Sequence, residues 1–217
     1  VFAKNGYNIA VGYLQSAGLV NEYCNELRET YGVDAIAVQG DVSKFEDCKK
    51  IVDQAIDKLG RLDVLVNNAA QYSRDPREEE RARLALTKLN SVEFLSQLAH
   101  ERGAEAVVNV SSMYTVNNRK SPFATAYQSG VESLTEHFAK QFRGKTRVNA
   151  VRPGACATDM VFGNYSPQEI EGFLDAVPDR KLIDPVQIGQ VVYFLATNDL
   201  LTGQIVTADK GTTLHGD

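Results

Sequence analysis

Ser111, Ser112 and Tyr127 are the residues of this chain whose types and spacing could do chemistry together. The apolar run Ala106 to Val110 reads as a buried strand that delivers the two serines to a sheet edge. A polar loop follows, and then a helix that opens near Tyr127. Hydroxyls and a phenol brought together in this way suit proton transfer to a carbonyl or alcohol oxygen. Taken singly, the serines could merely cap a strand end, and Tyr127 could be an ordinary half-buried helix tyrosine, one of nine in the chain.

The elements that must position these residues follow a regular alternation. Gly6 closes a helical turn, Tyr7–Tyr13 reads as a strand, and Ser16–Tyr31 is an amphipathic helix with Val20, Tyr23, Cys24, Leu27 and Tyr31 on its apolar face, ending at Gly32. Ala35–Val38 is the next strand. Ser43 and Glu46 have the spacing of a capping box for the helix carrying Cys48, Val52, Ala55, Ile56 and Leu59. Asp63–Val66 is a short apolar strand running into Asn67-Asn68-Ala69-Ala70, after which a mixed-charge run at 73–83 leads into a long helix. Beyond the central stretch come a helix through Leu134, Phe138 and Phe142, and a strand Arg147–Val151 ending in Pro153-Gly154. Two helices then open at Ser166-Pro167 and Asp184-Pro185, and Gln204–Thr207 is a last strand. Wholly apolar strands separated by helices mean a parallel sheet covered on both faces, so the fold predicted is a doubly wound, three-layer α/β/α domain spanning residues 1–217.

Composition narrows the function classes. The chain has 217 residues, 43% apolar and 24% charged, with a formal net charge of −5, which gives no reason to expect nucleic acid or an anionic membrane as partner. The three cysteines, Cys24, Cys48 and Cys156, are widely spaced and lack a CxxC pair, so neither a disulfide scaffold nor a zinc site is expected, and the reading is cytoplasmic. His100, His137 and His215 show no metal-ligand spacing.

Several motifs in order resemble the short-chain dehydrogenase/reductase family: Asp41-Val42, DVLVNNAA (63–70), Asn90, NVSS (109–112), Tyr127, RVNAVRPGACATDM (147–160) and TGQIVTAD (202–209). The texture is most like its 3-oxoacyl-carrier-protein reductase branch, with a sugar or polyol dehydrogenase as the alternative. The resemblance implies a nicotinamide cofactor and a small carbonyl or alcohol substrate, with hydride moving between them. Tyr127 would be the proton donor or acceptor, Ser112 would steady the reacting oxygen, and Asn90 would hold a relay water. Asp41 and Val42 would meet the adenine, and Asn67 and Ala69 the adenosine ribose. Pro153, Gly154, Cys156 and Thr158 would surround the nicotinamide end, and Met160–Asp175 would form the substrate lid. NADP is favoured over NAD, because the strand end Tyr13-Leu14-Gln15-Ser16 carries no acid to bind free ribose hydroxyls. A homotetramer is implied as well, paired through helices 84–101 and 124–142 and through the last strand.

The chain departs from the family pattern at two points. The glycine-rich strand–turn–helix that opens the family is absent, which leaves a gap of roughly 9–10 Å between two ladders and leads us to expect more sequence at the native N-terminus. The family's helix also reads Tyr-x-x-x-Lys, whose lysine lowers the tyrosine pKa and binds the nicotinamide ribose. In this chain the fourth residue after Tyr127 is Val131, and Lys140 lies too far along the helix to substitute. Missing segments, truncation, or a relative that has lost catalysis would each leave this pattern.

Overall fold

Each apolar run becomes a short parallel strand, and each amphipathic segment becomes a helix laid over it. The computed structural model describes residues 1–70, 77–117 and 122–214. Strand β1 (Ile9–Tyr13) pairs in parallel with β2 (Ala35–Gln39). The remaining strands are β3 (Val64–Asn67), β4 (Ala106–Val110), β5 (Arg147–Pro153) and β6 (Ile205–Ala208), and they form a second parallel ladder in that order. Among the described residues, β1 and β3 each stand at an edge of their ladder. The turn Ala3–Asn5 links the two halves. Ala3 packs with Cys24 and Leu27, while Phe2 meets Tyr7 and Tyr193 edge-on at 5.3 and 5.2 Å.

The helices are α1 (Ala17–Tyr31), α2 (Phe45–Leu59), α3 (Glu78–Glu101), α4 (Tyr114–Asn117), α5 (Pro122–Gln141), α6 (Asp159–Asn164), α7 (Pro167–Asp175) and α8 (Pro185–Thr197). Alternate residues of β4 serve opposite layers. Val107 packs with Ala99, Phe138, Phe142 and Val148 under α3 and α5, whereas Ala106 and Val108 pack with Val151, Val192 and Leu195 under α8. Both faces are dry, which is why the strand shows no polar alternation. Each fully buried valine of this strand contributes about 1.5–3 kcal/mol.

Punctuation residues act where the sequence placed them. Gly6, Gly32 and Gly60 cap their helices in the left-handed region, at φ 83°, 67° and 87°. Ser166 and Glu169 form a reciprocal capping box, and Asp184 accepts from Val186 N–H. Three local expectations are corrected. Helix α2 begins one residue later than the capping box requires, with Lys44 at the N-cap and no side-chain cap, and the Ser43 hydroxyl donates to Asp41 Oδ1 at 2.7 Å. Helix α5 opens at Pro122 and not near Tyr127, so the tyrosine sits a full turn inside it. Tyr23 and Tyr31 are exposed, which leaves Cys24 and Leu27 as the buried face of α1. The charged run at 73–83 lies partly outside the described residues, and α3 opens within it.

Candidate active site

In a doubly wound sheet the ligand crevice lies at the carboxyl ends of the strands. Four sequence segments meet there. After β4, Ser111 N–H continues the ladder onto Val151 O at 2.8 Å, and Met113 N–H reaches Pro153 O at 3.2 Å. The serine pair is therefore held by backbone against the end of β5. Ser112 is half-buried, and its Oγ accepts from Tyr114 N–H at 3.3 Å.

A buried polar cluster fixes the same segment from the helix side. The Glu132 carboxylate on α5 accepts from Ser111 Oγ at 2.7 Å and from Thr115 Oγ1 at 2.8 Å. Arg152 on β5 grips it through Nε and Nη2, both at 2.7 Å. Burial alone would push the Glu132 carboxyl up; the donors from Arg152, Ser111 and Thr115, with the Arg152 charge, more than offset this and hold it below its usual range. Glu132 and Arg152 were not among the residues singled out from sequence. They are twenty positions apart, and only the pairing of β4 with β5 under α5 brings them together.

Tyr127 is half-buried on α5, with its ring edge-on to Phe123 at 5.6 Å, and Phe123 in turn lies under the Arg81 guanidinium of α3 at 4.5 Å. The residues of α5 in contact with Ser111 are Gln128, through its carbonyl at 3.5 Å, and Glu132. Ser112 and Tyr127 are thus carried by elements in contact, Ser112 just after β4 and Tyr127 on α5. Val131 is fully buried, one turn below the tyrosine, and its carbonyl accepts from Thr135 Oγ1 at 2.8 Å.

Asn67 ends β3 and is buried. Its amide donates to Asn109 Oδ1 at 2.9 Å and to Ser96 Oγ at 3.3 Å, and Asn109 donates on to Thr135 Oγ1 at 2.9 Å. This chain of amides ties β3, β4 and α5 together. Asn67 Oδ1 and Gln128 Oε1 remain buried acceptors without a donor. Ala69 is exposed, and its carbonyl accepts from Lys88 Nζ at 3.3 Å. Lys88 on α3 is only 3% exposed, and burial pulls its pKa down to about 8. Sequence reading passed over it, because a lysine on a helix ordinarily reaches water. Asn90, two residues on, donates to Ser43 O at 3.0 Å and so braces the loop after β2.

After β2, Ser43 N–H and Oγ both donate to Asp41 Oδ1, and the Ser43 hydroxyl is the main reason that the Asp41 carboxyl is held below its usual range. Val42 packs with Cys48 and Val52. After β5, Gly154 N–H bonds Ala208 O at 3.1 Å, and a Cβ on Gly154 would stand 2.9 Å from the Asp209 Cα. That backbone contact requires glycine. Cys156 pairs with Ile183 in an isolated bridge, burial pushes its thiol up, and Thr158 precedes α6. His100 bonds Thr146 and stacks on Phe142 at 4.0 Å, a packing role, and His215 lies outside the described residues. Among the described residues no cluster of His, Cys, Asp or Glu could hold a metal ion, and no helix is long and apolar enough to cross a membrane.

Comparison with known proteins agrees with this geometry. A family model described as enoyl-(acyl carrier protein) reductase matches residues 1–213. The chain is 28% identical, over 99% of its length and 80% of the relative's, to the chloroplastic NADPH-dependent aldehyde reductase 1 of Arabidopsis thaliana. It is 31% identical, over 96% of its length and 89% of the relative's, to a 3-oxoacyl-[acyl-carrier-protein] reductase of Staphylococcus aureus. A short-chain dehydrogenase from Burkholderia cenocepacia, solved in complex with NADP, superposes with a TM-score of 0.88 at 22% identity, covering 97% of this chain and 89% of that one. With its parallel strands, its serine pair after β4 and these relatives, the chain belongs to the short-chain dehydrogenase/reductase family of oxidoreductases.

Proposed function

We propose that the chain is a reductase moving hydride between NADP(H) and a small carbonyl or secondary alcohol, with a 3-oxoacyl compound as the first substrate class to try. The observation that carries this reading is the rigid seating of Ser112. Its neighbours on both sides are fixed at the carboxyl edge, Ser111 and Met113 by backbone bonds to β5 and Ser111 and Thr115 by the Glu132 clamp, on the helix that bears Tyr127.

The residues present suit a dinucleotide. Lys88 offers spare N–H donors near the end of β3, where Asn67 Oδ1 is a buried acceptor without a donor, as is Gln128 Oε1 on α5. Asp41, Val42, Asn67 and Ala69 would hold the adenosine half, and Pro153, Gly154, Cys156 and Thr158 the nicotinamide half. The bound nicotinamide supplies or takes the hydride. Ser112 Oγ donates to the substrate oxygen and steadies its developing charge. Tyr127 gives that oxygen its proton in reduction and takes it back in oxidation. The relay-water role that the family resemblance gives Asn90 would fall to atoms other than its side-chain amide, which is committed to Ser43 O. NADP is preferred because the stretch Tyr13-Leu14-Gln15-Ser16 that ends β1 carries no acid to take free ribose hydroxyls, and the Ser16 hydroxyl is unused as a helix cap.

Turnover of a ketone and 3-oxoacyl panel with NADPH tests this reading. Ser112→Ala and Tyr127→Phe should each lower kcat by about a hundredfold or more. Unchanged turnover in both variants would overturn the assignment. A second reading is favoured by Val131, which puts an apolar side chain where the family has its lysine: a chain that binds the dinucleotide without turning it over. NADPH binding with no turnover of any carbonyl would select it. In solution the expected assembly is a homotetramer paired through α3 and α5 and through β6, which sedimentation measures.

A further inference from the structure

We infer that Lys88 is a cofactor-holding residue whose ammonium donates to the hydroxyls of the nicotinamide-side ribose, a role that α5 cannot fill from Val131. The inference rests on the hydride-transfer reading above and extends it to a residue outside the motifs. Lys88 is 3% exposed, and Ala69 O at 3.3 Å is its one acceptor among the described residues. An ammonium has three N–H donors, so two remain unused. The other cations in ion pairs, such as Arg102 with Asp53 and Arg152 with Glu132, meet carboxylates; Lys88 meets none. Burying an ammonium without pairing costs several kcal/mol, so a group that arrives with oxygens is needed to justify its place.

The surroundings say what that group is. Ala69 lies two residues past the end of β3, at the edge where a doubly wound sheet takes its ligand. The adjacent residue on α3, Leu89, reaches so close to Gly130 that a Cβ there would stand 2.8 Å from Leu89 Cδ2. The turn bearing Lys88 therefore runs alongside the turn of α5 that carries Tyr127, at the reacting end of the crevice. Two buried acceptors have no donor among the described residues: Asn67 Oδ1, on the last residue of β3, and Gln128 Oε1, on α5 next to Tyr127. A phosphate could use the ammonium but would leave those acceptors unmet. Vicinal hydroxyls accept from Lys88 and can donate to amide oxygens, so the donor set fits a ribose better than a phosphate.

Calorimetric titration of the full chain and of Lys88→Met with NADPH, ADP-ribose and adenosine 2′,5′-bisphosphate, alongside thermal melting, tests this. Methionine keeps the length and apolar stem and removes the buried charge, so the melting temperature should hold or rise. Loss of charged hydrogen bonds should weaken NADPH and ADP-ribose about ten- to a hundredfold while leaving the bisphosphate unchanged. Lys88→Gln, which keeps a donor, should fall between. Unchanged NADPH affinity in Lys88→Met, or equal weakening of all three ligands, would overturn the inference. So would a large fall in melting temperature in both variants with ligand affinities intact, the mark of a merely structural lysine. Binding that follows the expected pattern without carbonyl turnover would sink the reductase reading alone. A chain that binds none of the three would overturn both.

Discussion

Replacing Arg152 with leucine isolates the Glu132 clamp. Arg152 contributes two hydrogen bonds of 2.7 Å to a carboxylate whose side chain is about nine-tenths buried, with 10% exposed against 20% for the arginine. Removing one partner of a buried ion pair costs about 3–5 kcal/mol, because the remaining charge is left dry. The partial exposure of Arg152 and the surviving donors from Ser111 and Thr115 place the cost at the low end, about 3 kcal/mol. Urea unfolding at neutral pH measures it. The sign of the pH dependence sharpens the test. Glu132 is held below its usual range in the native chain, so its favourable contribution is complete above the unfolded carboxyl pKa and is lost as pH falls through the native one. In Arg152→Leu the burial effect prevails, and protonation relieves the stranded carboxylate. The gap between the two proteins should therefore shrink on acidification and close only as pH falls through the native Glu132 pKa. A gap that stays constant with pH, or that is under about 0.5 kcal/mol throughout, would refute the view that this ion pair clamps the serine segment.

Other outcomes follow from single contacts. Gly154→Ala should lower stability by about 1–3 kcal/mol in thermal melts, because the added methyl meets the Asp209 backbone and not a movable side chain. Thr135→Val should cost about 1–3 kcal/mol in chemical unfolding by leaving Asn109 Nδ2 without its acceptor in a dry layer. Burial pushes the Cys48 thiol up to about 12, so it should stay unreactive toward a thiol-exchange reagent at pH 8 until the chain unfolds. The depressed pKa of Lys88, about 8, means that the native state holds fewer protons than the unfolded one between there and the ordinary lysine value. This group alone should therefore make stability rise from about pH 8 to 10.5, by about 3 kcal/mol, and Lys88→Met should flatten that rise in unfolding curves.

The order of strands and helices was legible because most strands are largely apolar runs and several helices are bounded by a residue with one clear job. Gly32 and Gly60 turn left-handed, Ser166 and Asp184 cap, and all four act as read. Ser43 shows where such reading stops. Its spacing to Glu46 fits a capping box, but α2 starts one residue later, with Lys44 at the N-cap, which leaves Ser43 outside the helix with its hydroxyl on Asp41 Oδ1. The site was legible only in its strand half. Ser111 and Ser112 follow from the apolar run that delivers them, whereas Glu132, Arg152 and Lys88 owe their places to contacts between segments distant in sequence. A buried cation cannot be told from a solvated one until the neighbouring loop and helix are in place.

The measurement that tests the account most directly is deuterium transfer from NADPH labelled at C4 of the nicotinamide to a reduced 3-oxoacyl or ketone product. The account predicts label in the carbinol position of the product with wild-type chain, and its loss in step with activity in Ser112→Ala. Product formed without label, or NADPH bound and never oxidised across the panel, would contradict hydride transfer at this site.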